Sequence, residues 1–194
     1  MEMCAMLKTE NKLYKTILIV FLVLIAAGLA VSAQAVVNEE SDAWTRISGA
    51  FIMFALISAG HYLLEGYAKN AASYFKAFLA LFSAALFTSM IAIAVTSTNG
   101  FPILLCGLAF GVVLALLLSK DLGRKYSFIL CAAVIVCTLA SLVYSIVRVL
   151  NGAIVGKVLP TTVIGSNASR LILACVLGVM MYAKYLNKAE RGSK

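Results

Sequence analysis

Charge is what this chain has least of. Only 12% of its 194 residues are Asp, Glu, Lys or Arg, against roughly 25% in a typical soluble domain. Between Lys76 and Lys120 lie 43 residues without one charge. A domain folded in water has almost no use for such a run, so the soluble globular class is excluded. Histidine occurs once, as His61, and the five cysteines (Cys4, Cys106, Cys131, Cys137, Cys175) form no Cys-x-x-Cys. That argues against a zinc site and against a disulfide framework. Four of the five fall in apolar segments, where a thiol behaves as a small hydrophobe. No cofactor is expected. Also missing are a nucleophile elbow, a paired acid and base, and the acidic cluster that a metal-dependent lipid transferase requires.

What remains is hydrophobic, 63% of the chain. One bilayer span needs roughly 20 apolar residues at 1.5 Å each. The uncharged run therefore holds two spans, and the turn between them is legible as Thr96-Ser97-Thr98-Asn99-Gly100-Phe101-Pro102. Asn-Gly followed by X-Pro interrupts both helix and strand. Six apolar segments follow along the chain: Thr16–Val37, Ile47–Leu64, Ala77–Val95, Phe101–Ser119, Tyr126–Val147 and Thr162–Leu186. No linker divides them, so residues 1–194 read as one domain. Ala33-Gln34-Ala35 imitates a signal-peptidase site behind Lys8, Lys12 and Lys15. The apolar run is long enough to stay as an anchor, and an uncleaved first helix is expected.

The loops give the orientation. With the N-terminus inside, twelve basic residues fall on the cytoplasmic side and four outside: Arg46, Arg148, Lys157 and Arg170. That is the positive-inside bias. It accounts for the net charge of +8 without nucleic acid, for which no basic cluster with interleaved aromatics exists. Tyr14, Tyr67, Tyr74, Tyr126, Tyr182 and Tyr185 fall at the cytoplasmic ends, as an interfacial belt does. The expected fold is all-α: a polytopic integral membrane protein, a six-transmembrane-helix bundle with both termini cytoplasmic, multi-pass in a bacterial plasma membrane. Three helices followed by three gives halves of opposite orientation, as in inverted-repeat transporters, with no convincing sequence similarity between them.

Polar residues inside the spans mark the candidate site. From Arg170 to Lys184 is 14 residues, about 21 Å of helix, in a hydrocarbon core about 30 Å thick. Tyr182 and Tyr185 place the inner boundary near Lys184, which draws Ser166, Asn167, Ser169 and Arg170 into the outer half of the bilayer. A charge there tends to face the bundle or an aqueous cavity. On the fifth segment Thr138, Ser141, Ser145 and Arg148 share one helical face, with Tyr144 and Asn151 beside its outer end. Arg148 and Arg170, surrounded by Ser, Thr and Asn, suit a carboxylate or phosphate. The bland alternative has both guanidiniums reaching outward to lipid phosphates or to Glu39, Glu40 and Asp42. The half-apolar connection Asn151–Gly165 is expected as a loop on lipid or as a re-entrant cap over a cavity. Ser58, His61 and Glu65 share a face of the second segment, where His61 and Glu65 form a candidate proton relay. A Glu65–Lys69 ion pair is the plainer reading.

Small residues mark packing faces. Gly107-x-x-x-Gly111 lies on the fourth segment and Ala26, Ala27, Gly28 and Ala30 on the first. Either suits an internal contact or a partner membrane subunit. The six-span outline is similar to the substrate-binding S-components of energy-coupling-factor vitamin transporters, and Ala26-x-x-x-Ala30 resembles the small-residue docking surface on their first helix. The resemblance covers architecture and that one spacing. It implies a membrane-embedded binding subunit with a partner. The function expected is a small solute transporter, or the binding subunit of one, taking a small anionic or polar solute between the fifth and sixth helices. A non-catalytic accessory or assembly protein in contact only with lipid and partners is the alternative. An intramembrane lipid-modifying enzyme stands third.

Overall fold

The described residues form six helices separated at the polar breaks of the sequence. The computed structural model describes residues 2–40, 43–64, 71–96, 100–119, 122–154 and 161–192. Its elements are α1 (Glu2–Val37), α2 (Ala43–Leu64), α3 (Ala71–Thr96), α4 (Gly100–Leu118), α5 (Arg124–Ile154) and α6 (Thr161–Gly192). Among the described residues, five helices are long and apolar enough to cross a membrane, over Ala43–Leu63, Ala72–Val95, Gly100–Leu118, Arg124–Asn151 and Ile164–Tyr185. The described apolar part of α1 is Leu22–Val37. These are the marks of a multi-pass membrane protein.

Most helices run past their apolar segments, because a helix continues into the headgroup region while hydropathy marks only the hydrocarbon. The largest difference is at the connection expected over Asn151–Gly165. That stretch is mostly helical: α5 continues to Ile154 and α6 begins at Thr161, leaving residues 155–160 outside the described part. Gly152 and Gly165 sit inside helices. Each costs about 1 kcal/mol against alanine in water. In lipid every N–H needs a partner within the segment, which favours the helix over a half-buried loop. The turn before α4 is shorter than its sequence signature. Gly100, Phe101 and Pro102 already belong to the first turn of α4, where proline removes an N–H that has no helical acceptor in any case.

The α1–α2 corner is closed by backbone hydrogen bonds. Glu39 N–H donates to Val36 O at 3.1 Å and Glu40 N–H to Ala35 O at 3.0 Å, with Glu39 at φ 58°. This is the Schellman arrangement, with glutamate where glycine is usual. Arg46 then reaches back to Glu40 at 3.2 Å. Both side chains are nearly half exposed, and such a pair contributes little.

Among the described residues, α1 packs on α2 alone, while α2, α3, α4, α5 and α6 form a ring that α2 closes against α6. α3 supplies the bulk of the centre through Phe78, Leu79, Phe82 and Leu86, each essentially without exposure. α2 meets it with small residues, Ala55 and Ala59, and α6 with Leu173, Leu177 and Met180. Large side chains on one helix against small ones on the next bring backbones close. In lipid, such packing replaces hydrophobic driving force as the source of helix association. Ser48 ties α2 to α3, its hydroxyl 2.6 Å from Ser89 Oγ and 3.1 Å from Ala85 O. Gly107 packs its bare Cα near the Met90 side chain of α3, whereas Gly111 is exposed. The two glycines of that motif thus do not share one interface.

Candidate functional site

The polar stripe of α5 faces α6, and two different arrangements result. The first is a clamp. Ser141 Oγ donates to Asn167 Oδ1 at 2.9 Å, Asn167 Nδ2 donates to Ser145 Oγ, and Ser145 Oγ donates to Ser141 O at 2.9 Å. All three residues are buried. The circuit is nearly closed on itself: each hydroxyl proton has an acceptor, and the amide uses both its ends. Thr138 sits a turn below, donating to Val134 O at 2.9 Å. The clamp joins α5 to α6 in a medium where an unmade hydrogen bond is costly.

The second arrangement surrounds a charge. Arg170 is 4% exposed. It lies roughly 7 Å from the middle of the Ile164–Tyr185 span at 1.5 Å per residue. Its Nε donates to Ser166 O at 3.1 Å, one terminal nitrogen to Ser166 Oγ at 3.2 Å, and the other to Cys106 Sγ at 3.4 Å. A guanidinium has five N–H groups, so two have no protein acceptor among the described residues. No carboxylate lies within ion-pair distance of it there. The one ion pair among the described residues is Arg46–Glu40. Cys106 in turn donates to Leu86 O at 3.3 Å, so its sulfur meets Arg170 as a neutral thiol.

A cavity of about 10 Å³ borders this guanidinium. On the polar side stand Arg170, Asn167, Ser141 and Thr138. The remaining wall is Leu86 of α3, Leu105, Cys106 and Ala109 of α4, and Cys137 of α5. A water needs about 10–15 Å³ measured this way. The space is one water in size, and any organic solute requires the helices to part.

The structure therefore brings together Arg170, Ser166, Asn167, Ser141 and Ser145. It does not bring Arg148 or Tyr144 to the cavity. Arg148 is exposed, between the exposed Val147 and Leu150. A residue seven positions from Ser141 keeps nearly the same face but lies about 10 Å farther along the helix, and at that level the Arg148 side chain is exposed. Tyr144 is half-buried and tilts against Phe101 of α4, ring centres 5.4 Å apart. Sequence reasoning missed Cys106 as a polar participant. Its local context is apolar throughout, and only the fold sets it against Arg170, 64 residues on.

The other sequence candidate lies at the opposite end of α2. His61 is half-buried and stacks on Tyr74 of α3, centroids 5.2 Å apart. Glu65 and Lys69 lie outside the described residues, so the relay and the ion pair do too. On α1, Ala26 and Ala30 are exposed. The chain matches no protein-family model, no curated protein and no solved structure.

Proposed function

We infer that this is a six-span protein of the bacterial plasma membrane, both termini cytoplasmic, that binds a small anionic or polar solute at Arg170 and conveys it across the bilayer. It acts alone or as the membrane-embedded binding subunit of a transporter, and it is not an enzyme. One observation carries the reading: a buried guanidinium whose protein acceptors are all neutral. A charge at the bilayer centre is disfavoured by about 2.5–3.5 kcal/mol on insertion scales, and by less toward the interface. An apolar residue at position 170 would stabilise the bundle more, which points to a ligand as the missing partner. In the subunit form of this reading, the exposed Ala26 and Ala30 face of α1 is the docking surface, because among the described residues α1 packs on no helix but α2. The Gly107 face is less suited, since it already meets Met90.

The test is retention of a bound species by native mass spectrometry on protein purified from its own membrane. Arg170→Ala is expected to remain folded and to lose that species. A species retained unchanged by the mutant removes Arg170 from the reading. For the topology, cysteines introduced one at a time at positions 41 and 122 of a cysteine-free chain separate the two sides. Position 122 reacting from outside the cell would reverse the orientation.

The accessory-protein reading draws support from a different observation, the water-sized cavity. A bundle that serves only to assemble partners needs no larger space. It expects no retained solute, and it expects Arg170→Ala to impair folding or insertion.

A further inference from the structure

We propose that the Arg170 site holds a single compact monovalent anion, of halide size, as the counter-charge of the guanidinium. The proposal rests on reading the site as a solute site, and it narrows the class of solute.

The inference runs from number, charge and volume. Arg170 presents two N–H groups that no protein atom accepts among the described residues, and it is 4% exposed. What completes it must accept hydrogen bonds and carry negative charge. The described residues around it supply neither a carboxylate nor a thiolate: the sulfur of Cys106 directs its proton to Leu86 O. One positive charge calls for one negative charge, since a divalent anion would leave an excess of the other sign in the same low dielectric. The volume decides the rest. A cavity of about 10 Å³ has room for one water-sized sphere, which excludes an organic carboxylate, a phosphate or a lipid headgroup without separation of α4 from α5 and α6. Water fits, but it brings no charge. A halide is spherical, accepts from several directions at once and suits a wall that is otherwise apolar. The neighbouring clamp is no competitor for it. Ser141 and Ser145 direct their protons to Asn167 Oδ1 and Ser141 O, leaving the guanidinium as the principal donor.

The experiment uses the full chain in detergent at constant sodium, with gluconate exchanged for chloride or for fluoride. The unfolding midpoint of the wild type is expected to rise and then saturate with at least one halide. At a hundredfold excess over Kd, linkage gives a rise of roughly 5–10 °C for a chain of this size. Arg170→Gln, neutral and still able to hydrogen-bond, is expected to show no rise, and Arg148→Ala to keep it in full. Chloride-35 line broadening on folded wild type, absent with Arg170→Gln, checks the same site without reference to stability and needs only that the wild type fold. An equal rise in Arg170→Gln, or no response of the wild type to either halide, overturns the proposal. If halides do nothing while the wild type retains an organic anion that Arg170→Ala loses, the proposed function stands and the halide does not. If neither a halide nor a retained species is found, water alone fills the cavity, and both readings fall together.

Discussion

The seam between α5 and α6 has two ends that handle polarity in opposite ways. At the end where α5 begins, the Tyr185 hydroxyl donates to Ser127 Oγ at 2.7 Å, and Ser127 turns its own proton toward Leu122 O. Phe128 tilts against the same tyrosine ring, and Lys184 lies 4.5 Å from the centre of the Phe75 ring. The polar groups of that contact are two neutral, partnered hydroxyls and one ammonium set over an aromatic face. In the other half of the seam, Asn167 is bound as completely as Tyr185 is, yet one turn away Arg170 is buried with two N–H groups left over. Aromatic and hydroxyl residues hold an interface together whether or not anything else binds. A guanidinium in the same setting is a cost that protein contacts alone do not offset. The contrast separates polar groups that hold the helices together from a buried charge whose acceptors among the described residues are all neutral.

The comparison breaks first at Arg170. Arg170→Met is expected to raise the stability of the anion-free protein by about 2 kcal/mol, somewhat under the cost of a charge at the bilayer centre. Reversible unfolding in gluconate buffer measures it. A loss of stability would make Arg170 one more element of the clamp and remove the contrast. Asn167→Leu carries the opposite sign. It strands the proton of Ser141 and the acceptor of Ser145, and is expected to cost about 1–2 kcal/mol by the same measurement. At the other end of the seam, Tyr185→Phe keeps the ring contact with Phe128 and removes one hydrogen bond. A loss of about 0.6 kcal/mol, typical of such bonds between membrane helices, is expected. The smallest effect belongs to Arg148→Ala. An exposed arginine without a partner among the described residues should change stability by less than about 0.5 kcal/mol and leave bound solute untouched. A large effect there would restore the two-arginine site that the sequence suggests.

Much of the architecture was legible because it depends on solvent transfer, which is additive along the chain. The six apolar segments each lie within or almost within a helix, since an uncharged run of 20 residues in lipid has only helix and closed barrel available to it. The polar stripe Thr138, Ser141 and Ser145 was legible for a similar reason: helical periodicity assigns a shared face without knowledge of the neighbour. Periodicity gave no distance limit, however, and Arg148, three residues beyond Ser145, fell off the interface. The stretch 151–165 misled for another reason. Its glycines and proline are turn formers in water, where a broken helix finds water for its backbone groups, and lipid withholds that alternative from Gly152 and Gly165.

The sequence by itself determined that this chain is an apolar helical protein with Arg148 and Arg170 set among the polar residues of the α5–α6 pair, because hydropathy and charge are properties of single residues and their neighbours. Tertiary structure alone decided which guanidinium is enclosed, that Cys106 and Leu86 complete its surroundings, and that the space beside it is one water in size. Those facts depend on how side chains from four helices fill a shared volume, and packing to within the size of one atom is set jointly by residues far apart in the chain.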